Sequence, residues 1–283
     1  MLKQRVITAL VLAAIFLAAL FGLPAGYFSF FIGAVVLVGA WEWANLSGYP
    51  AIWQRLAYTL LVFLLLIGAA LYLGFEGEAS PHLKDQAIRD LLIVGCSWWA
   101  LALLLVQGYP SSGLLWGHKV LRVIMGLLVL LPTWVALVYV RQQVNGAWLV
   151  LLLILIVAVA DSGGYFVGRR FGKHKLAPAV SPGKTWEGFV GGFLANALLA
   201  LVLSQVIGTS LVLMLILIVP TSLVSVLGDL LESMVKRHAG VKDSGSILPG
   251  HGGILDRVDG ITAGAPIFAL ALLASGVFTG AGI

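Results

Sequence analysis

Residues 210–240 read SLVLMLILIVPTSLVSVLGDLLESMVKRHAG. Up to Leu227 the stretch holds no charged side chain, and from Asp229 to Arg237 it holds two carboxylates and two cations. A helix needs about 20 mostly apolar residues, with roughly 17–25 as the working range, to cross the hydrocarbon core of a bilayer. Residues 210–227 meet that requirement, and the charge beyond them reads as the exit into water. The same pattern recurs along the chain, near 6–23, 27–46, 54–74, 91–106, 120–140, 147–167, 188–207 and 261–280. The fourth run is the shortest. Nine spans are expected, give or take one, and helices are the natural choice because lipid cannot satisfy an open strand edge.

Composition agrees. The 283 residues are 60% hydrophobic and 10% charged, with mean hydropathy +1.05, whereas a soluble domain carries about 25% charged residues. The fold class expected is an all-α polytopic membrane protein, one multi-span domain over 1–283. The net charge of +5 is small for nucleic-acid binding and is better explained by topology. The N-terminal MLKQRVITALVLAAIFLAAL has the basic start and apolar middle of a signal peptide, but LPAG after it is a poor cleavage site, so the first span is read as retained. The single cysteine, Cys96, lies in an apolar run and reads as a structural thiol.

With the N-terminus in the cytoplasm, fourteen of the seventeen Lys and Arg residues fall on the inner side and only Lys84, Arg89 and Arg141 outside. That bias follows the positive-inside rule and predicts a cytoplasmic-membrane protein. Two glycine-rich polar loops, near 168–187 and 228–260, are then cytosolic, and the acidic loop at 75–90 is external.

Chemistry concentrates in those two loops. Helical spacing predicts Asp229, Glu232, Ser233, Lys236 and Arg237 along one face; a solvated helix end with internal salt bridges is the plain alternative. The following PGHGG permits close backbone approach to a ligand, and ILDRVDG adds Asp256, Arg257 and Asp259 just before the ninth span. Carboxylates among cations suit a polyphosphate–magnesium complex, because Mg²⁺ takes one or two carboxylates plus phosphate oxygens and Lys or Arg neutralise the rest. In the other loop, Asp161 sits at the hydrocarbon edge, where an ionisable residue is a functional candidate or an interfacial cap. The GKT at 183–185 suggests a P-loop, but Pro178 occupies the position of the required Gly and no strand precedes it. Ser181, Lys184 and Thr185 remain phosphate candidates. The five histidines form no metal set.

The long segment SMVKRHAGVKDSGSILPGHGGILDRVD strongly resembles the C-terminal motif of the phosphatidate cytidylyltransferase (CDP-diacylglycerol synthase) family. Ser233, Lys236, Arg237, Lys242, Asp243, His251, Gly252, Gly253, Asp256, Arg257 and Asp259 all occupy its positions. The upstream DSGGYFVGRRFGKHKLAPAVSPGKTWEG resembles the family's second motif through Asp161, Ser181, Lys184, Thr185 and Glu187, with Gly164 where Ala is common. The resemblance implies transfer of the cytidylyl group of CTP to phosphatidate with release of pyrophosphate. It also implies a requirement for Mg²⁺, with a second cation alongside it left open, membrane lipids as surroundings, and a homodimer. Metal ligation is implied for Asp229 and Asp256. Lys236, Arg237, Lys242 and Arg257 are then expected to screen phosphates, and Gly250, Gly252 and Gly253 to admit them closely. Two other readings stay open: a CTP-dependent kinase of a membrane lipid alcohol, and a transporter, whose ionisable groups should lie near mid-span.

Overall fold

The computed structural model describes residues 2–75 and 83–276. Glu76, Glu78 and His82 of the expected external loop, and the last residues of the expected ninth span, lie outside the described residues. Nine long helices run as α1 (Leu2–Gly22), α2 (Ala25–Leu46), α3 (Ile52–Leu73), α4 (Asp85–Gln107), α6 (Lys119–Gln142), α7 (Gly146–Phe171), α8 (Trp186–Ile207), α9 (Leu211–His238) and α10 (Leu255–Ser275), with a single turn α5 (Gly113–Trp116) before α6. Eight of them are long and apolar enough to cross a membrane, and the apolar part of α1, Val6–Gly22, has 17 residues. The chain is an all-α polytopic membrane protein, and each expected span falls on one helix.

Four boundaries differ from the sequence reading, for one reason. Backbone groups must be paired whether or not the side chains are apolar, so helices outrun their apolar runs. The fourth span starts at Asp85 rather than 91, giving 23 residues. Helix α7 continues to Phe171 and α10 begins at Leu255. Helix α9 extends past Leu227 to His238 and stops at a Schellman turn: Gly240 takes φ 72°, Val241 N–H donates to Lys236 O at 3.0 Å, and Gly240 N–H to Arg237 O at 3.1 Å. The second expected polar loop is therefore about half helix ends. Residues 229–237 occupy the last turns of α9, and Asp256, Arg257 and Asp259 the first turns of α10.

Between α7 and α8 the chain forms a short antiparallel hairpin, β1 (Lys175–Ala177) with β2 (Ser181–Thr185), in register Lys175↔Thr185 and Ala177↔Ser181. The GKT segment is thus part of a strand that runs directly into α8, with no wrapping loop between them.

Helix α6 is the most buried span, and α3 and α8 are the least. Trp43 Nε1 donates to Arg122 O at 2.8 Å and Arg122 Nη1 to Leu46 O at 2.8 Å, tying α2 to α6. Helices α7 and α8 meet through two glycine pairs at i,i+4 spacing, Gly164/Gly168 and Gly188/Gly192. A Cβ on Gly188 would stand 2.6 Å from Gly164 O, and one on Gly192 would stand 2.6 Å from Ala160 O. Small residues at such a seam let backbones approach where lipid supplies no hydrophobic drive. This close seam on one side leaves a space on the other, against α9.

Candidate active site

That space is a cavity of ≈ 540 Å³ walled by α7, α8, α9 and the hairpin. Its polar end is built from Asp161 on α7, Arg169 one helix end above it, Ser181 and Lys184 on β2, Thr185, and Asp229 on α9. Its remaining wall is mostly apolar, with Ala160, Leu176, Phe189, Phe193, Leu223 and Val226.

Lys184 organises the polar end. Its Nζ lies 2.7 Å from Asp229 Oδ2, both side chains partly open to solvent at 23% and 31%. Ser233, one turn on, donates to Asp229 Oδ1 at 3.0 Å. Asp161 lies within electrostatic reach of both Lys184 and Asp229. The hairpin delivers Lys184 because both its ends are held. Thr185 Oγ1 caps α8 by accepting Gly188 N–H at 3.1 Å. Glu187, in the first turn of α8, accepts Lys173 N–H at 3.1 Å, His174 N–H at 3.2 Å and pairs with His174 Nδ1 at 2.6 Å. Glu187 therefore clamps the base of the hairpin and is not part of the cavity wall.

The face expected on α9 divides in two. Asp229, Ser233 and Arg237 form one i,i+4 row toward the hairpin, where Arg237 Nε donates to Val180 O at 3.3 Å. Glu232 and Lys236 form the neighbouring row toward α10. Lys236 Nζ lies 2.6 Å from Asp256 Oδ1 and 3.3 Å from Glu232 Oε1, with the Lys236 and Asp256 side chains only 10% and 8% exposed. Asp259 lies deeper on α10, its Oδ1 on Gly260 N–H at 2.7 Å. With Glu232 it borders a small void beneath Trp43 and Trp99, apart from the cavity.

Around Asp256 the segment between α9 and α10 is closely tied. Its Oδ2 accepts Ser244 N–H at 2.9 Å, Ser244 Oγ–H at 2.9 Å and Gly253 N–H at 2.8 Å. Beneath it lies a residue that the sequence reading passed over: Glu42 on α2, fully buried. Glu42 Oε1 accepts Ile254 N–H at 3.0 Å, its Oε2 accepts Leu255 N–H at 2.9 Å, and the single Ser244 Oγ–H, 3.2 Å from Oε2, is shared with Asp256. A carboxylate at the start of α10 satisfies N–H groups that have no partner within the helix and complements its dipole. The clue was available in WEWANL, since a carboxylate inside an apolar span is the feature that singled out Asp161.

The glycines of PGHGG serve this packing. Gly250 and Gly252 take φ 77° and 83°, with Leu248 N–H donating to Gly252 O at 2.9 Å. A Cβ on Gly253 would collide with Ser244 Oγ and the Glu42 carboxylate. The close approach expected toward a ligand is here an approach to the protein's own carboxylate. Lys242, Asp243 and Arg257 stay on the exposed surface, where Arg257 Nη2 donates to His251 O at 3.2 Å.

The two aspartates expected to hold metal differ in availability. Each carboxylate oxygen offers about two lone-pair sites; Asp256 Oδ2 is crowded by Gly253 N–H and both polar groups of Ser244, while its Oδ1 meets Lys236. Asp229 has one lysine and one hydroxyl and opens on the cavity with Asp161 nearby. Among the described residues no three His, Cys, Asp or Glu are arranged to hold a metal ion together. A Mg²⁺ at Asp229 would therefore complete its shell from phosphate oxygens and water, as Mg²⁺ commonly does. The donor set at Asp229 fits such an ion.

The helical membrane bundle thus encloses a cavity in which charged and apolar side chains line the same space. The chain belongs to the cytidylyltransferase family, whose family model matches residues 3–275. It is 47% identical over 279 residues to the phosphatidate cytidylyltransferase of Pseudomonas aeruginosa, covering 98% of each chain. It is 41% identical over 287 residues to the phosphatidate cytidylyltransferase of Haemophilus influenzae (95% of this chain, 97% of that one). The identity is 34% over 287 residues to that of Brucella suis (95% and 92%).

Proposed function

We propose that the chain transfers the cytidylyl group of CTP to phosphatidate, giving CDP-diacylglycerol and pyrophosphate for phospholipid synthesis. The observation that carries this reading is the mixed cavity: Lys184, Asp229 and Asp161 stand within electrostatic reach of one another, with Arg169 and apolar residues of α7, α8 and α9 in the same lining. A phosphatidate oxygen attacks the α-phosphorus of CTP, the bond to the β-phosphate oxygen breaks, and pyrophosphate leaves. The attacking oxygen is already ionised near neutral pH, so the reaction needs no serine–histidine activation. It needs two polyanions held together, which calls for preorganised opposite charge.

In this reading Lys184 turns from Asp229 to a substrate phosphate, and Asp229 would then be the residue to hold Mg²⁺. Asp229 is the better-placed ligand because it opens on the cavity, whereas Asp256 is 8% exposed and paired with Lys236. Bound Mg²⁺ supplies charge stabilisation at the reacting phosphate oxygens. Lys236 and Arg237 keep α10 and the hairpin in register beside it, and Arg169 screens charge at the mouth. We place this end of the bundle in the cytosol and the protein in the inner membrane, from the Lys/Arg asymmetry, and read it as a homodimer on the family resemblance.

Purified protein given phosphatidate and labelled CTP tests the reading. The α-phosphate label is expected in lipid, with free pyrophosphate; γ-label in lipid would indicate the kinase, and no labelled lipid the transporter. For orientation, a cysteine replacing exposed Ser246 in a Cys96→Ser background should resist impermeant reagent applied outside intact cells. Ser244, although central to the loop, is 1% exposed and unsuited to that labelling. The mass of the detergent-solubilised protein checks the dimer.

A further inference from the structure

The deep wall of the cavity carries one polar group that the charge transfer does not use. Ser222 lies on α9 among Ala160, Gly192, Phe193, Leu223 and Val226, and it is only 2% exposed. Three hydroxyls follow one another on this part of α9. Thr221 Oγ1 donates back to Leu217 O at 2.6 Å and Ser225 Oγ to Ser222 O at 2.9 Å, the usual outlet for a hydroxyl inside a helix. Ser222 behaves differently. Its Oγ accepts from Asn196 Nδ2 at 2.9 Å, and among the described residues its own proton has no acceptor.

Asn196 explains the orientation. This fully buried side chain sits near the middle of α8, where its Nδ2 also faces Ile156 O at 3.1 Å and Gly192 O at 3.3 Å. Two carbonyl acceptors fix which end of the amide is the nitrogen, whose two N–H groups are shared among Ile156 O, Gly192 O and Ser222 Oγ, while the amide's own Oδ1 has no partner among the described residues. The nitrogen faces a lone pair of Ser222 and leaves the hydroxyl proton free, since a hydroxyl has one donor and two acceptor sites. A polar pair at hydrocarbon depth with a spare donor is costly unless something accepts it.

We propose that Ser222, held by Asn196, donates a hydrogen bond to an ester carbonyl of the lipid substrate. The proposal rests on the phosphatidate reading above. Ser222 precedes Asp229 by seven residues, about 10 Å along the helix at 1.5 Å per residue. In a diacylglycerol phosphate, five or six bonds of about 1.5 Å each separate phosphorus from the ester groups, which spans most of that distance. A lipid with its phosphate at Lys184 therefore brings an ester carbonyl, an acceptor without a proton of its own, to the level of Ser222. The apolar neighbours then receive the start of an acyl chain. In such a dry setting a neutral hydrogen bond is stronger than in water.

The test compares diacyl phosphatidate with its dialkyl-ether analogue, which lacks both carbonyls, at matched chain length in mixed micelles. The parent is expected to favour the diester about three- to tenfold in kcat/KM, the effect of one neutral hydrogen bond. In Ser222→Ala the preference should fall to near one, through loss on the diester alone, with KM for CTP unchanged. A parent that treats both lipids alike, or an alanine variant that keeps the preference, would overturn the carbonyl contact while leaving the transferase reading intact. Absence of transfer to either lipid would overturn both. Should Ser222→Ala fail to fold, Ser222→Cys keeps nearly the same volume with a weaker donor. It should show a reduced preference, and an undiminished one would again overturn the proposal.

Discussion

The two rows on the last turns of α9 make a close comparison, because they share one helix and each contributes to a lysine–aspartate pair. The row toward the hairpin carries Asp229, paired with a lysine from a two-stranded element, and opens on a cavity. The row toward α10 carries Lys236, paired with Asp256 in a buried cluster tied to Ser244 and Gly253. The difference teaches that similar ion pairs serve different ends according to access. A pair at a cavity can exchange its partner for phosphate, whereas a buried pair tied to the backbone holds helices in place.

The largest expected effect separates the two aspartates. Asp229→Asn should lower turnover about 10²–10³-fold, the usual cost of deleting an active-site electrostatic group, with thermal stability close to the parent. Asp256→Asn should also lose activity, but it should destabilise by about 1–3 kcal/mol, because it removes the nearer of the two carboxylates on buried Lys236 and leaves Glu232 at 3.3 Å as its one charged partner. Turnover and thermal unfolding of both variants in the same detergent decide the matter. An Asp256→Asn protein as stable as the parent, with a shifted Mg²⁺ dependence, would move Asp256 from the scaffold to the metal.

Lys184→Ala should come next. Losing a charge-assisted phosphate contact costs about 1.5–3 kcal/mol, which is roughly a ten- to hundredfold fall in kcat/KM, and the fold should be retained. Activity within a factor of two of the parent at subsaturating CTP and phosphatidate would reduce Lys184 to a positive-inside anchor and erase the contrast between the rows.

Glu42→Gln sharpens the comparison from the other side. Glutamine keeps one carbonyl oxygen but turns an N–H₂ toward donors, so the segment ahead of α10 should loosen by about 1–3 kcal/mol. Turnover should fall with KM for CTP near that of the parent, because no substrate group is removed. A change in KM with unaltered stability would argue that Glu42 faces the nucleotide instead. The smallest effect is expected from Glu187→Gln, which retains an acceptor for the Lys173 and His174 amides. Its effect should be a small fall in the thermal midpoint with activity close to the parent, because exposed pairs contribute little.

How much was legible follows from the range of the forces involved. Span positions could be read because hydrocarbon selects on side-chain polarity residue by residue, and each of the nine runs became a helix. The ends could not, because Asp229, Glu232, Ser233, Lys236 and Arg237 are polar yet still helical: hydrogen bonding within α9 continues until Gly240 permits the terminating turn. The charged motifs announced phosphate chemistry through residue type and spacing. They did not announce that Arg237 reaches Val180, that Glu187 grips the hairpin, or that Glu42 caps a helix more than two hundred residues away.

Local composition by itself thus determined a multi-span helical membrane protein with its polar chemistry gathered in two segments, 168–187 and 228–260. Only the tertiary structure decided which of those charges face a cavity and which face one another. A one-position step along a helix turns a side chain by about 100°, so Lys236 and Arg237, adjacent in sequence, serve different neighbours. Which neighbour each one finds depends on how α2, α9, α10 and the hairpin pack, and that depends on glycine seams and buried carboxylates spread across the whole chain.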